Sequence, residues 1–121
     1  TAAIVLHLVD THPAAGLAPA VGTPARAHFY KWLSWLATTL QAEMECWFYP
    51  DRWADDAAAA AQVKAHAGAR IDAMFDLVEA EFARHGGPHL LGEAFSALDP
   101  YLLMLGRWSR GMARPARSLP H

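Results

Sequence analysis

The sequence predicts an all-α fold, a bundle of helices that forms one compact unit. Apolar residues recur at spacings of three and four over two long segments, which is the period of one face of a helix. Residues typical of helix starts and helix ends flank those segments. The chain has 121 residues, of which 54% are hydrophobic. It can therefore bury a substantial core, and its composition excludes a disordered chain.

The chain begins with a short apolar run, residues 2–12, whose periodicity alone leaves helix and strand open. Its alanine content favours a helix. The run lacks the basic leading residues of a secretory signal, and it is far shorter than the roughly 20 residues that cross a bilayer. We therefore expect no targeting or membrane segment. The stretch "HPAAGLAPAVGTP" that follows contains three Pro and two Gly, a composition typical of a linker.

The first long helix is predicted over residues 24–49. Thr23 and Pro24 form an N-cap followed by proline at the first helical position, and Pro50 ends the helix. The apolar positions of this segment fall on one stripe that faces a core. They are Phe29, Leu33, Leu36, Leu40, Met44 and Trp47.

A second stripe on this helix is polar. Ser34, Thr38, Gln41 and Glu45 follow one another at spacings of four, three and four, so they are expected to lie along the side opposite the apolar stripe. Such a band is either ordinary solvated surface or one wall of a binding site. The spacing alone does not decide between the two.

The second long helix is predicted over residues 55–85. It contains the strong helix former "AAAAA" and an apolar stripe of Ile71, Phe75, Val78 and Phe82. The residues that follow, "HGGP", stop the helix, with glycine available for a left-handed cap.

A third helix is predicted from Ser96 to about residue 109, and its start carries a capping box. The Ser96 hydroxyl is expected to accept a hydrogen bond from the Asp99 N–H, while the Asp99 carboxylate accepts one from the Ser96 N–H. Phe95 precedes the cap, where an apolar side chain tends to pack back on the first turns. Loss of the cap should cost about 1 kcal/mol. The final stretch, "GMARPARSLPH", contains no packing pattern.

Charge and reactive residues exclude several function classes. A net charge of −2 and a pI of about 6.3 give no electrostatic footprint for nucleic acid or an anionic membrane. The single Cys46 excludes an internal disulfide, suits a reducing cytosol, and is more typical of an inert core thiol than of a nucleophile. Glycines and a proline separate His85 from His89, so a shared metal site is not expected. The residues alone predict no metal site and no catalytic centre.

Several short motifs around the third helix match one known family. They are Leu91-Gly92-Glu93, Phe95-Ser96-Ala97, Asp99, Tyr101 and Arg107-Trp108. These motifs resemble the hallmark of the C-terminal helical domain of cytosolic glutathione transferases, in which a Ser-x-x-Asp capping box begins the central helix. Residues 2–40 resemble the last long helix of the family's thioredoxin-like domain, the interdomain linker and the first helix of the all-helical domain. The resemblance covers essentially the whole chain and is nearest to the bacterial, beta-type enzymes.

This resemblance implies a domain organisation. Residues 1–12 would be a remnant of the thioredoxin-like domain, residues 13–22 the linker, and residues 23–121 a helical domain that lacks its last helices. The family binds glutathione mainly through a Glu-Ser or Gln-Ser pair, expected just before Thr1, and activates the thiol with a Tyr, Ser or Cys that lies earlier still. The chain is thus expected to be a fragment with no catalytic residue of its own, inactive when alone.

The same resemblance implies the parent's function. Such an enzyme conjugates the glutathione thiolate to small apolar electrophiles, with glutathione as co-substrate and no further cofactor. This helical domain would form the electrophile-side wall of the cleft. We expect a cytoplasmic homodimer that acts in detoxification and binds neither nucleic acid nor membrane.

Some site residues are expected within the chain. Beta-type enzymes carry an Asn and, seven residues later, a His that approach glutathione, and these positions align with Ser34 and Gln41. Thr38 lies between them on the same stripe. Gln41 cannot take a proton as His would, so the resemblance implies a hydrogen-bonding role. Tyr30, Tyr101 and Trp108 are expected to line the electrophile pocket, although each is an equally good core aromatic.

Two other functions stay open. Helical domains of this type also occur in non-catalytic proteins that bind protein partners, including translation-factor subunits and stress-response factors. The substitution of Ser34 and Gln41 for Asn and His is compatible with such an interaction module. A third possibility is a decayed remnant without function.

Overall fold

The computed structural model describes residues 1–120 and contains five α-helices in that range. They are α1, Ala2–Thr11; α2, Pro24–Trp35; α3, Gln41–Phe48; α4, Ala57–His85; and α5, Leu98–Trp108. Short 3-10 turns occur at Pro13–Ala15, Pro50–Trp53, Ser109–Gly111 and Ala116–Ser118. No strand forms within the described residues, so the predicted all-α class is confirmed. None of the helices found between residues 1 and 120 combines the length and the apolar character that a membrane crossing requires.

Local capping explains where the long helices begin and end. The Thr23 hydroxyl accepts a hydrogen bond from the Arg26 N–H at 3.1 Å, and Pro24 occupies the first helical position, as predicted. Asp56 caps α4 in the same way, accepting from the Ala59 N–H at 2.8 Å. Gly86 ends α4 with a φ of 67°, the left-handed conformation that glycine adopts without strain.

The predicted helix over residues 24–49 is interrupted at one point. A single π-helical turn, Leu36–Leu40, joins α2 to α3, and the Gln41 N–H bonds the carbonyl of Leu36, five residues earlier. Each residue turns a regular helix by about 100°, so this wider turn changes the register between residues before and after it. Ser34 precedes this turn and Gln41 follows it. The angle between their side chains around the helix axis therefore differs from the one that a regular helix would give.

The core lies where α2 and α3 meet α4 and α5. The two predicted apolar stripes supply most of it, although Trp47 and Phe82 are only partly buried, and α5 adds Leu98, Tyr101 and Leu105. Its buried members include Phe29, Leu33, Leu36, Leu40, Met44, Ile71, Phe75, Val78, Leu90, Leu98 and Leu105. Full burial of one such side chain contributes roughly 1.5–3 kcal/mol relative to an exposed one.

Helix α1 is attached to α2 by a buried arginine. Arg26 is 3% exposed, and its guanidinium donates to the Asp10 carboxylate on α1 and to the Pro19 carbonyl of the linker at 3.0 Å. Val9 of α1 packs in the core, whereas Ile4 and Leu8 are exposed. The leading segment is thus a helix fixed in place against the first long helix.

The segment after α5 packs against the bundle, although its sequence has no packing pattern. Met112 is buried, and the Ala116 N–H donates to the Ser109 hydroxyl at 2.8 Å. Arg114 pairs with Asp76 of α4 at 2.6 Å. A few separate contacts hold this irregular segment. Its apolar residues therefore show no regular spacing that a sequence pattern could reveal.

Candidate functional site

The half-buried Gln41 meets α5 at the hydroxyl of Tyr101. That hydroxyl donates a hydrogen bond to the Gln41 Oε1 at 2.5 Å, and Tyr101 is only 4% exposed. Thr1, at the start of α1, lies close enough to the Tyr101 hydroxyl to lower the pKa of that phenol. We call these three residues the Gln41–Tyr101 site. It joins α3, α5 and the leading end of α1.

Electrostatics assign the roles within this site. Burial raises the pKa of the Tyr101 phenol, and nearby Thr1 lowers it by less. The phenol is therefore neutral at physiological pH and acts as a donor. Because the Gln41 carbonyl oxygen accepts that proton, its amide NH₂ is the end that can donate to a ligand. No residue among 1–120 bonds that nitrogen.

Ser34 and Thr38 stand in a different environment. Both are exposed, and the Thr38 hydroxyl donates to the Ser34 carbonyl at 2.8 Å, a local bond within the helix. The predicted polar band is thus split, since Gln41 contacts Tyr101 while Ser34, Thr38 and Glu45 face solvent. A glutathione-side role for Ser34, Thr38 and Gln41 stays a prediction.

The three predicted pocket aromatics differ in exposure and in the groups they contact. Tyr30 is 41% exposed, with the Arg26 guanidinium 4.8 Å from its ring centroid. Trp108 is 37% exposed and meets the Phe48 ring edge to face at 6.3 Å. Tyr101 is buried against Gln41. Each ring thus has different neighbours, and the role of the three residues toward an electrophile stays a prediction.

The start of α5 uses both oxygens of one carboxylate. Asp99 accepts from the Ser96 N–H at 2.7 Å, as a capping box requires, and also from the Leu90 N–H at 2.9 Å. The Ser96 hydroxyl accepts from the Leu98 N–H at 3.3 Å, whereas the Asp99 N–H bonds the Ser96 carbonyl at 3.2 Å. The expected bond from the Asp99 N–H to the Ser96 hydroxyl does not form, because the helix starts at residue 98.

Phe95 does not pack back on α5 as the sequence predicts. It is 50% exposed, and its ring meets His89 edge to face at 5.4 Å. The loop before α5 is tight: a Cβ at Gly87 would lie 2.5 Å from the carbonyl carbon of Gly92. Asp99 fastens this loop to the helix through Leu90, a bond that joins residues nine apart and has no local sequence signal.

One cavity of the structure was not predicted from the sequence. It has a volume of about 440 Å³ and lies between α4, α5 and the C-terminal segment. We call it the α4–α5 cavity. Its apolar wall includes Phe75, Val78, Phe82, Leu102, Leu103 and Leu119. Arg107, Arg110 and Arg117 also line it, so the run of arginines near the end of the chain was the available signal.

The single Cys46 and the residue types that bind metals form no reactive centre within residues 1–120. Burial raises the pKa of the Cys46 thiol, and nearby Glu43 raises it further, so little thiolate forms near neutral pH. This agrees with an inert thiol. Within residues 1–120, no group of three or more His, Cys, Asp or Glu residues gathers in a way that would hold a metal ion.

One curated protein matches the chain along most of its length. Over 111 residues, 92% of this chain, it is 31% identical to the Escherichia coli K12 protein named "Uncharacterized GST-like protein YncG". The chain is similar to a GST-like protein. No family profile matches the chain, and no solved structure matches it.

The similarity supports a GST-like family, where GST denotes glutathione S-transferase. The all-helical architecture is consistent with the C-terminal helical domain of that family. The chain spans about half of this relative, since the match covers 51% of the relative's length.

Proposed function

We propose that the chain is part of a glutathione S-transferase whose parent conjugates the glutathione thiolate to small apolar electrophiles. Residues 1–12 would belong to the thioredoxin-like domain, residues 13–22 to the linker, and residues 23–121 to the helical domain. This helical domain would form the electrophile-side wall of the cleft. The parent would be a cytoplasmic homodimer that acts in detoxification.

The observation that carries the proposal is the position of Gln41. This residue aligns with the family's glutathione-side position, and it points toward Tyr101, beside Thr1 at the leading end of α1. A domain attached before Thr1 would therefore start next to the free amide of Gln41. The similarity to a GST-like protein supports the family named in the proposal.

Helix α1 is fixed relative to α2, so the position of Thr1 beside Tyr101 is also fixed. Arg26, Asp10 and the Pro19 carbonyl tie α1 and the linker to α2, and Val9 packs in the core. A charged pair with one buried partner is costly to break. The Arg26 contacts thus hold the entry direction of whatever precedes Thr1, and preorganised geometry is what a cleft between two domains needs.

The chemistry assigns limited tasks to this half of the cleft. The nucleophile in conjugation is the thiolate, so lowering the thiol pKa is the main task, and the thioredoxin-like domain would perform it. The Gln41 NH₂ would donate a hydrogen bond to glutathione, and it cannot move a proton. Tyr101 would orient that amide. Ser34 and Thr38 precede Gln41 along the chain. Tyr30 and Trp108 would form part of the apolar wall of the cleft.

A conjugation assay on two forms of the protein tests the proposal. The full-length parent should conjugate glutathione to an activated aryl halide, whereas residues 1–121 alone should show no rate above the uncatalysed reaction. In the parent, Gln41→Glu should raise KM for glutathione about tenfold, since a carboxylate still accepts from Tyr101 but repels the anionic ligand. A parent without activity toward any electrophile would overturn the enzyme assignment.

Gln62 offers a matched control for that substitution. It is an exposed glutamine on α4, so Gln62→Glu makes the same charge change away from the proposed site. KM for glutathione should stay within about twofold of the unmodified parent. Equal effects of the two substitutions would attribute the change to net charge and contradict the role of Gln41.

A second candidate is a non-catalytic interaction module, and an exposed aromatic patch favours it. Phe48, Tyr49 and Trp108 form this patch; they are 43%, 48% and 37% exposed, and Phe48 meets the other two rings at 6.4 and 6.3 Å. Aromatic side chains are enriched at protein interfaces. Sedimentation of the parent separates the candidates: a protein that binds no glutathione, yet forms a dimer that Phe48→Ser disrupts, would favour the interaction module.

A further inference from the structure

We propose that His28, oriented by Glu81, makes the cavity beside it a site that hydrolyses small neutral aryl esters without glutathione. This cavity lies between the linker, the start of α2 and the loop before α5. We call it the His28 cavity. It shares no residue with the Gln41–Tyr101 site, and the reaction is independent of the conjugation activity described above.

His28 and Glu81 form an imidazole–carboxylate pair. The His28 Nε2 lies 2.9 Å from the Glu81 Oε1, and His28 lines the cavity whereas Glu81 lies behind it. Hydrogen bonds from Arg84 and from His28 lower the pKa of Glu81 to about 2, so this carboxylate is ionised at neutral pH. An ionised carboxylate only accepts hydrogen bonds, so a neutral His28 ring carries its proton on Nε2 and keeps the lone pair of Nδ1.

His28 is the nucleophile that the described lining offers. Ser96 is the other described lining residue with a polar side chain, and its hydroxyl is engaged at the start of α5. That hydroxyl donates to the Asp99 Oδ2 at 3.2 Å and accepts from the Leu98 N–H at 3.3 Å. The His28 Nδ1, in contrast, forms no hydrogen bond within residues 1–120, and the side chain is 34% exposed. A neutral imidazole held by a carboxylate is suited to attack an acyl group.

The size and wall of the cavity fit a small aryl ester. The volume is about 320 Å³, near the lower end of the range of roughly 300–1,000 Å³ typical of small-molecule sites. Phe95 is half exposed, so its ring is available to stack on an aryl group. The described lining contains no Lys, Arg, Asp or Glu, which favours an uncharged substrate. Most of the wall is apolar and consists of Ala18, Pro19, Ala25, Leu91, Ala94 and Phe95.

Two backbone N–H groups can stabilise the oxyanion that forms during acyl transfer. Ala94 and Phe95 line the cavity, and their N–H groups donate no hydrogen bond within the described residues. The next N–H, that of Ser96, is already bonded to the Asp99 Oδ2 at 2.7 Å. One donor aimed at such an oxyanion contributes about 10²–10³ in rate in enzymes.

The reaction has two steps. The His28 Nδ1 attacks the ester carbonyl carbon; a C–N bond forms, the C–O bond to the aryloxide breaks, and the Glu81 carboxylate stabilises the positive acyl-imidazolium ring. Water then attacks the acyl carbon and the C–N bond breaks, which returns neutral His28. One proton of that water stays on the carboxylic acid and the other goes to the aryloxide, so one ester and one water give one acid and one phenol.

Hydrolysis of p-nitrophenyl acetate by the 121-residue chain, without glutathione, tests the proposal. The rate should saturate with ester concentration, and His28→Gln should lower kcat/KM at least about tenfold. His66 is an exposed histidine on α4 outside this cavity, so His66→Gln should stay within about twofold of the unmodified chain. Equal rates for the unmodified chain and His28→Gln, or the same loss in both variants, would overturn the proposal.

Substitutions behind the ring test the role of Glu81. In Glu81→Gln the amide oxygen can still accept from His28 but carries no charge, so kcat should fall about tenfold with little change in KM. Arg84→Gln removes the other partner of Glu81 and leaves the carboxylate in place, so kcat should stay within about twofold. Equal losses of kcat in the two variants would show that this network is only structural and would contradict the pair.

Two exposed alanines on α2 test whether the ester binds in the cavity. Ala25 lines the cavity and Ala27 does not. Ala25→Leu should fill part of the space and raise KM about fivefold or more while His28 is still present, whereas Ala27→Leu should react as the unmodified chain does. An unchanged KM in Ala25→Leu would assign the reaction to a solvent-exposed imidazole and overturn the site.

Discussion

The start of α5 and the joint between α2 and α3 carry similar polar side chains, yet the protein uses them differently. At the start of α5, Ser96 is 2% exposed, and both oxygens of Asp99 accept backbone hydrogen bonds. At the joint, Ser34 is exposed, and the NH₂ group of the Gln41 amide has no hydrogen-bond partner among residues 1–120. Polar groups with all their bonds made within the chain stabilise the fold. Groups with bonding capacity left over are the ones that can bind a ligand.

The largest effect should come from removing the carboxylate that fastens α5. Asp99→Ala leaves the N–H groups of Leu90 and Ser96 without their acceptor, and it should lower the free energy of unfolding by about 3 kcal/mol. Urea denaturation measures this change. Asp55→Ala, at an exposed position before α4, should change stability by less than about 0.5 kcal/mol. A loss below about 1 kcal/mol for Asp99→Ala would break the comparison.

A second carboxylate, the partly buried Glu81, should make stability depend on acid. Hydrogen bonds from Arg84 and then His28 lower the pKa of Glu81 from 4.5 to about 2. Because the folded-state pKa is the lower one, this stabilisation is present above about pH 4.5 and is lost as the pH falls toward 2. Between pH 4.5 and pH 2 the free energy of unfolding of the unmodified chain should fall by about 1–2 kcal/mol more than that of Glu81→Gln. This figure is reduced because solvent screens the exposed Arg84.

Unfolding curves recorded across that pH range check this prediction. Glu93 is an exposed carboxylate, and Glu93→Gln should leave the acid dependence of the unmodified chain unchanged. Parallel curves for the unmodified chain and Glu81→Gln would show that Glu81 does not contribute.

The serine of the capping box should have a smaller effect. Ser96→Ala removes the oxygen that accepts from the Leu98 N–H and should cost about 1 kcal/mol. The thermal unfolding midpoint, supported by urea denaturation, measures it. No change in either quantity would indicate that the Asp99 carboxylate alone holds the helix start.

The smallest effects are expected at the α2–α3 joint. Ser34→Ala and Thr38→Ala remove exposed hydroxyls and should each change stability by less than about 0.5 kcal/mol. Paired with Ser96→Ala, they compare the same hydroxyl chemistry in the two regions. A loss at Ser34 as large as that at Ser96 would contradict the view that this side chain has no structural task.

Local signals account for the parts of the fold that the sequence predicted. Thr23 with Pro24, the apolar stripe around Phe29 and Leu36, and Gly86 each act within a few residues along the chain. Propensity, capping and periodicity describe that range well. These features explain why the helices and most of the core were predicted.

Contacts between distant segments account for what was missed. The wide turn before Gln41, the bond from Leu90 to Asp99 and the α4–α5 cavity depend on how helices meet, and no short pattern encodes them. The alignment to a known family selected Gln41, but only the structure supplied its partner, Tyr101. Conversely, Tyr30 and Trp108 were chosen as aromatic residues, a property that core, surface and pocket residues share.

The affinity of the full-length parent for glutathione tests the central claim most directly. Calorimetric titrations of the unmodified parent, Gln41→Glu and Gln62→Glu should be compared at one pH and salt concentration. The account predicts that Gln41→Glu binds glutathione about tenfold more weakly, while Gln62→Glu binds it as the unmodified parent does. Unchanged affinity in Gln41→Glu would contradict it, because the free amide beside Tyr101 would then have no part in binding glutathione.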